Sequence, residues 1–156
     1  MRRTDRELTS KEELIDVLNG GKIVQVAFID ENEPYIVTLN YGYRWNAEKI
    51  RLYFHSATEG RKIKCIKNNP NVCFTIAICD PFVQGEKACN YGMKYRSVVG
   101  YGRMRIVEND EERILGLNLL MEQYTGNDNW AYDDDMMKKT MVHCLEVEKI
   151  SGKRKK

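Results

Sequence analysis

The sequence lacks most of the signals that assign a protein at a glance. No apolar stretch approaches the roughly 18–20 residues that a membrane-spanning helix needs. The charged N-terminal segment is not followed by an apolar core of the secretion-signal kind. Neither charge sign dominates: 25 basic and 23 acidic side chains leave a formal net charge of +2, too weak a field to argue for nucleic acid. The five cysteines, Cys65, Cys73, Cys79, Cys89 and Cys144, include no Cys-x-x-Cys pair and fit no common zinc spacing, so no metal site is expected. Their odd number, with no secretion signal ahead of them, predicts reduced thiols in a soluble, cytoplasmic protein. No Gly-x-Ser-x-Gly elbow marks a hydrolase. Gly100-Tyr101-Gly102 fails as a dinucleotide fingerprint because Arg105 stands where the next glycine belongs. Asp133-Asp134-Asp135 lacks the alternate spacing and glycine of a calcium loop. Repeats, low-complexity tracts and linkers are absent as well.

What is there is an ordinary globular mix, 42% hydrophobic and 31% charged over 156 residues, which suits a single domain. A chain of this length buries about 68–70% of its unfolded surface without staples. Basic residues gather at both ends, as Arg2, Arg3 and Arg6 and as Lys153, Arg154, Lys155 and Lys156. They read as solvated, frayed termini, with the ordered core at about 3–150 and a basic tail at 151–156.

Ser10 to Glu13 is a capping box opening a short helix with the stripe Leu14, Val17 and Leu18, stopped by Gly20-Gly21. Lys22 to Asp30 reads as a strand, Asp30 to Glu33 as a turn, and Pro34 to Tyr43 as the returning strand, with Tyr35, Val37, Leu39 and Tyr41 on one face. Ile50 to Ser56 is a third strand. A helix follows Gly60 and ends at Asn68-Asn69-Pro70. Val72 to Cys79 is a fourth strand, Asp80 to Tyr91 a loop, and Lys94 to Val107 a fifth strand. Asn109 to Glu112 reads as a second capping box, opening a helix with the stripe Ile114, Leu117, Leu120, Met121 and Tyr124 up to Gly126. Asp133 caps a short helix through Lys139. Met141 to Ile150 is a sixth strand, with Leu145 and Val147 inward. Six mostly sequential strands with helices between and beside them predict a mainly β fold, a six-stranded antiparallel barrel with helices packed outside.

One segment carries chemistry. In Leu52-Tyr53-Phe54-His55-Ser56-Ala57-Thr58-Glu59-Gly60-Arg61-Lys62-Ile63 a strand runs through a short loop into a helix. Arg61 and Lys62 fall in the first helical turn, where the positive end of the macrodipole disfavours cations. A bound phosphate removes the conflict, because backbone N–H groups, dipole and both cations then face one anion. The plainer alternative is a pair of exposed cations of little energetic consequence. Gly100 and Gly102 share a strand face, either to relieve crowding in a curved barrel or to leave a flat patch for a planar ring.

Together with Glu33 to Tyr43, Asn69 to Phe74 and Tyr95 to Gly102, this segment resembles the FMN-binding split-barrel family, which includes the pyridoxamine 5′-phosphate oxidases. The nearest branch is that of the nitroimidazole-resistance (Nim-type) flavoproteins, and the resemblance runs from about Arg3 to Ile150. It implies a split barrel and a homodimer with FMN at the subunit interface. It places Gly60, Arg61 and Lys62 at the FMN phosphate. His55, Ser56 and Ala57 would lie beside the ribityl chain and ring, and the backbone of Val37, Thr38, Leu39 and Asn40 along the ring edge. Tyr95, Arg96 and Ser97 are candidates to reach the flavin from the partner subunit. The expected activity is that of an oxidoreductase passing electrons from a small donor to a small acceptor such as a nitroaromatic, with no catalytic residue assigned. The Arg-rich C-terminal substrate segment of the true oxidases is missing, which speaks against vitamin-B6 chemistry. Two alternatives remain: a non-enzymatic flavin-binding protein, and a haem-binding barrel with His55 or His143 as ligand.

Overall fold

The computed structural model describes residues 3–47 and 49–155, so Arg2 and Lys156 of the two basic clusters lie outside the described residues. In chain order the elements are β1 (Glu7–Leu8), α1 (Lys11–Gly20), β2 (Val24–Asp30), β3 (Glu33–Leu39), β4 (Gly42–Asn46), β5 (Lys49–Ala57), α2 (Arg61–Asn68), β6 (Asn71–Val83), β7 (Gly92–Ile106), α3 (Asp110–Thr125), α4 (Asp134–Lys139) and β8 (Thr140–Lys155). Short 3₁₀ turns sit at Thr4–Arg6 and Ala88–Asn90. The strands form one antiparallel sheet in the order β3-β2-β6-β7-β8-β5-β4, with β1 paired to β8. No ladder joins β3 to β4 among the described residues, so the barrel is split there and only the chain itself closes it.

Eight strands thus stand where six were expected. The Pro34 to Tyr43 run divides because Tyr41 turns inward between β3 and β4. There it is fully buried, its hydroxyl donating to the Leu18 carbonyl at 2.6 Å. The basic tail is not frayed: Lys153, Arg154 and Lys155 pair with Ser97, Arg96 and Tyr95 of β7. The fourth strand also runs on past Cys79 to Val83, through a bulge between Cys79 and Phe82.

Alternation decides the two faces of the sheet. Val24, Val26, Phe28, Leu52, Phe54, Phe74, Ile76, Val98, Met104 and Leu145 point inward and form the main core. Onto it α1 lays Val17 and Leu18, and α2 lays Cys65 and Ile66. Gly100 also faces inward, where a Cβ would strike the Phe74 ring, and Gly102 follows a bulge against β8. Both glycines therefore serve close packing and curvature, and the flat patch for a ring does not exist there.

The capping box at Ser10 is closed in both directions and holds α1. The expected second box is only half made. Asn109 caps α3 by accepting from the Glu112 N–H at 2.9 Å, but the Glu112 carboxylate turns away. It takes a bidentate contact from Arg105 at 2.6 and 3.1 Å and the Tyr53 hydroxyl at 3.1 Å. Arg105 holds the Glu112 carboxyl below its usual range, so the link stays charged. The buried side of α3 is Gly116, Leu117, Leu119 and Leu120, whereas Ile114 and Tyr124 of the expected stripe are exposed.

On the outer face the sheet is treated in two ways. Over β5 and the start of β8, α3 closes a second core of Tyr53, Val107, Leu117, Leu119, Val142 and Cys144. Over β2, β3, β6, β7 and the end of β8 no described helix packs, and the outward residues Ala27, Ile36, Thr75, Ala77 and Val99 stay partly or fully exposed.

Candidate functional site

The loop between β5 and α2 turns at Gly60, whose φ of 135° lies in a region that only glycine adopts without strain. No side chain caps α2. The Ile63 and Lys64 N–H groups reach back to the Gly60 carbonyl. Those of Arg61 and Lys62 find no acceptor among the described residues, as the first donors of a helix do when nothing is bound before it. The space in front is open, since a Cβ on Gly60 would touch nothing within 4 Å.

The two cations of this first turn differ. Arg61 points toward β2 and β3, its Nε 2.5 Å from an Asp30 carboxylate oxygen and its guanidinium stacked 4.3 Å from the centre of the Tyr35 ring. Its charge already has an answering anion. Along this side runs a groove of about 710 Å³ whose walls mix Asp30, Glu31 and Glu59 with Arg61 and Lys64. Lys62 is half-buried and forms no ion pair among the described residues, and burial lowers its pKa. The conflict with the helix dipole is therefore real at Lys62 and relieved at Arg61.

Beyond Lys62 stand two histidines. His55 is the outward residue near the end of β5, opposite Val142, and burial together with the Lys62 charge lowers its pKa. His143 faces inward on β8, opposite Phe54 and Ile106, and is completely buried. Desolvation, then the charges of Lys62 and His55, push its pKa down to about 4, so the ring is neutral at physiological pH. One ring nitrogen, Nε2, lies 2.8 Å from Ser56 Oγ, while Nδ1 has no partner. His143 is sealed in the core, where a haem has no access to it, and of the two histidines only His55 is exposed.

The remaining expected residues lie in two further places. Val37 and Leu39 point into the core from β3, while Thr38 and Asn40 are exposed. β3 pairs only with β2, so its other backbone edge is free among the described residues. Tyr35, under Arg61, is on the same strand, which puts Val37 about 7 Å and Leu39 about 13 Å further along that edge. Tyr95, Arg96 and Ser97 are elsewhere. Ala57 pairs with Thr140 at one end of β8, and Ser97 pairs with Lys153 near the other. At about 3.3 Å per residue, about 40 Å of strand separates them. Within one chain the structure brings His55 to Lys62 together with β3, and it does not bring Tyr95 to Ser97 to them. His143 belongs to the cluster, although its sequence position suggests only a haem ligand. Its inward phase could be read from Leu145 and Val147 on the same strand, and a histidine in that phase is the signal.

Comparison with known proteins gives one family and one fold. Residues 10–154 match the model of the pyridoxamine 5′-phosphate oxidase family. A candidate 5-nitroimidazole antibiotic resistance protein from Bacteroides thetaiotaomicron superposes with a TM-score of 0.82 at 28% identity, over 95% of this chain and 86% of that one. An FAD- and haem-binding protein from Mycobacterium smegmatis gives 0.80 at 18% identity, over 95% and 72%. An uncharacterized protein of Rhizobium meliloti (strain 1021) is 27% identical over 92% of this chain and 91% of its own length.

Proposed function

The chain belongs to the pyridoxamine 5′-phosphate oxidase family, and from that premise we propose that it is a homodimeric flavoprotein that binds FMN. The carrying observation is Lys62, a half-buried cation with no anion among the described residues, beside a helix start whose first N–H groups are unpaired. That combination suits a terminal monophosphate, which FMN has. In this reading Lys62, Gly60 and the first N–H groups of α2 hold the phosphate, with Arg61 at the rim, where Asp30 restrains it. His55, Ser56 and Ala57 lie along the ribityl chain, with the Ser56 hydroxyl turned to its phosphate end, and the free edge of β3 from Val37 to Asn40 offers backbone donors and acceptors to the ring.

The bare outer face supports the dimer. It is a sheet surface of small and apolar residues such as Ala27, Ile36, Ala77 and Val99 that no described helix covers. A second copy seated there would bring its own Tyr95, Arg96 and Ser97 toward the flavin, which the same chain cannot do. Arg96 stands directly opposite Arg154 on β8, whose guanidinium is paired with the Glu13 carboxylate of α1, so of the two cations Arg96 is the one left for an anionic ligand or a reduced flavin.

The flavin, when bound, supplies the electron transfer, here from a reduced nicotinamide to a small acceptor such as a nitroaromatic, the class suggested by the Bacteroides relative. The protein binds and orients it. His55, neutral at physiological pH, offers one ring N–H to a ribityl or ring oxygen.

The test is the visible spectrum of the purified protein, taken before and after adding FMN and then a reduced nicotinamide. A flavin band that is retained on desalting and bleaches with the donor supports the reading. Absence of any band after reconstitution contradicts it, and a Soret band would favour haem.

A further inference from the structure

His143 is an expensive residue to keep. It is completely buried on the inward face of β8 between apolar neighbours, and its Nδ1 has no hydrogen-bond partner. A leucine would fill the place without burying an unsatisfied polar atom. The one interaction that answers for the ring is the 2.8 Å contact from Nε2 to Ser56 Oγ. Ser56 is the last inward residue of β5 before the loop to α2, so the contact runs from the core to the mouth of the candidate phosphate site.

The direction of that hydrogen bond follows from counting protons. Ser56 has a single hydroxyl proton, and its Oγ lies 2.8 Å from the Ala57 carbonyl, which can only accept. The hydroxyl therefore donates to Ala57 and must accept from His143. This fixes the Nε2–H tautomer and leaves Nδ1 as a bare lone pair. The Lys62 charge lies close enough to act on both imidazoles and disfavours a second proton on the ring.

Building on the FMN reading, we propose that His143 is a positioning residue: by donating from Nε2 to Ser56 Oγ it reserves the Ser56 hydroxyl proton for an anionic oxygen of the ligand held before α2. On binding, the hydroxyl rotates from the Ala57 carbonyl to the ligand oxygen while the His143 bond stays in place. Accepting from the imidazole polarises the hydroxyl and makes it a stronger donor to the anion. No covalent bond is made or broken, and the ring keeps its proton throughout.

The experiment combines FMN titration by flavin fluorescence with ¹⁵N NMR of the histidine side chains. Loss of a hydrogen bond to a charged group predicts about tenfold weaker FMN binding for either His143→Leu or Ser56→Ala. The double variant is expected to be no weaker than the worse single one, because the two act as one unit. His143→Gln, whose amide can donate in place of Nε2, should bind nearly as the wild type does. The thermal midpoint of flavin-free His143→Leu should not fall, since an unsatisfied polar atom has left the core.

Wild-type affinity in His143→Leu, or fully additive losses in the double variant, would overturn the positioning role and leave the flavin reading standing. Should His143→Leu fail to fold, the wild type alone decides: an Nδ1–H tautomer at His143 contradicts the proposal. A wild type that binds no FMN removes both the flavin reading and this one.

Discussion

The two ends of β8 lie in opposite surroundings. At its start, Val142 and Cys144 are sealed under α3 and His143 is sealed in the barrel; burial keeps the imidazole and the thiol neutral, and the Arg105 opposite Cys144 is answered by Glu112. At its end, Lys153, Arg154 and Lys155 lie half-exposed beside Arg96, and no described helix covers the outer face. Burial at the start is complete within one chain, and this is where a cofactor phosphate can be gripped by a fixed frame. At the end the outer face is bare and, although Arg154 is paired with Glu13, Arg96, Lys153 and Lys155 form no ion pair among the described residues, which suits the proposed contact with a second copy. On the proposed dimer reading the molecule separates what holds the fold from what completes the site, and each part of this contrast can be attacked alone.

The largest effect should come from a charge on the bare face. Ala27→Glu is expected to leave the monomer folded, because the position is partly exposed. It should weaken self-association at least about a hundredfold by forcing an unpaired carboxylate into the interface. Light scattering checks the mass and circular dichroism the fold.

Next in size is a pH effect at the sealed end. His143 titrates near 6.5 when unfolded and at about 4 when folded. Between those values the unfolded chain binds a proton that the folded chain refuses. Stability is therefore highest above pH 6.5 and falls as pH drops through the window, by about 3 kcal/mol in all. His55, lowered by burial and by Lys62, adds in the same direction. Urea melts of the wild type and of His143→Leu between pH 7 and pH 4 test this; equal slopes in the two proteins would contradict it.

Lys62→Ala should weaken FMN binding by about 2 kcal/mol, roughly thirtyfold, without lowering the flavin-free melting temperature. Arg61→Ala should cost FMN affinity less than about threefold, since that guanidinium is engaged by Asp30 and Tyr35. Equal losses from the two would break the distinction drawn between them. A modest effect on stability alone is expected at Gly116 under α3, where a Cβ would approach the Tyr53 ring to 2.7 Å and Val142 to 3.1 Å. Gly116→Ala should destabilise by about 1 kcal/mol, with no change in mass.

Much of this architecture could be read from the residues, and the failures have physical causes. The Ser10 box, the strands at β2 and β5 and the Gly126 stop are local patterns that the fold respects. β4 cannot be told from β3 in the sequence because nothing in Leu39-Asn40-Tyr41 signals a break; the break comes from Tyr41 finding the carbonyls of Leu18 and Gly21 at the end of α1, a tertiary event. The terminal strand reads as a tail because Lys153 to Lys155 are basic. Yet Gly152 packs inward against Leu8 and Leu14, and alternation continues through the charges. At the site, the uncapped helix after Gly60 was legible as an anomaly. Which of Arg61 and Lys62 already had an anion was not, because Asp30 lies on another strand. The separation of Tyr95 to Ser97 from the rest depends on register along β8, which no local pattern carries.

The central claim, that flavin is held where two copies meet, is tested most directly by sedimentation followed both in the protein band and in the flavin's visible band. The account predicts that FMN and protein move together at the mass of a dimer, and that Ala27→Glu releases both the partner and the flavin. Flavin that sediments with a monomer, or stays free beside an intact dimer, would contradict it.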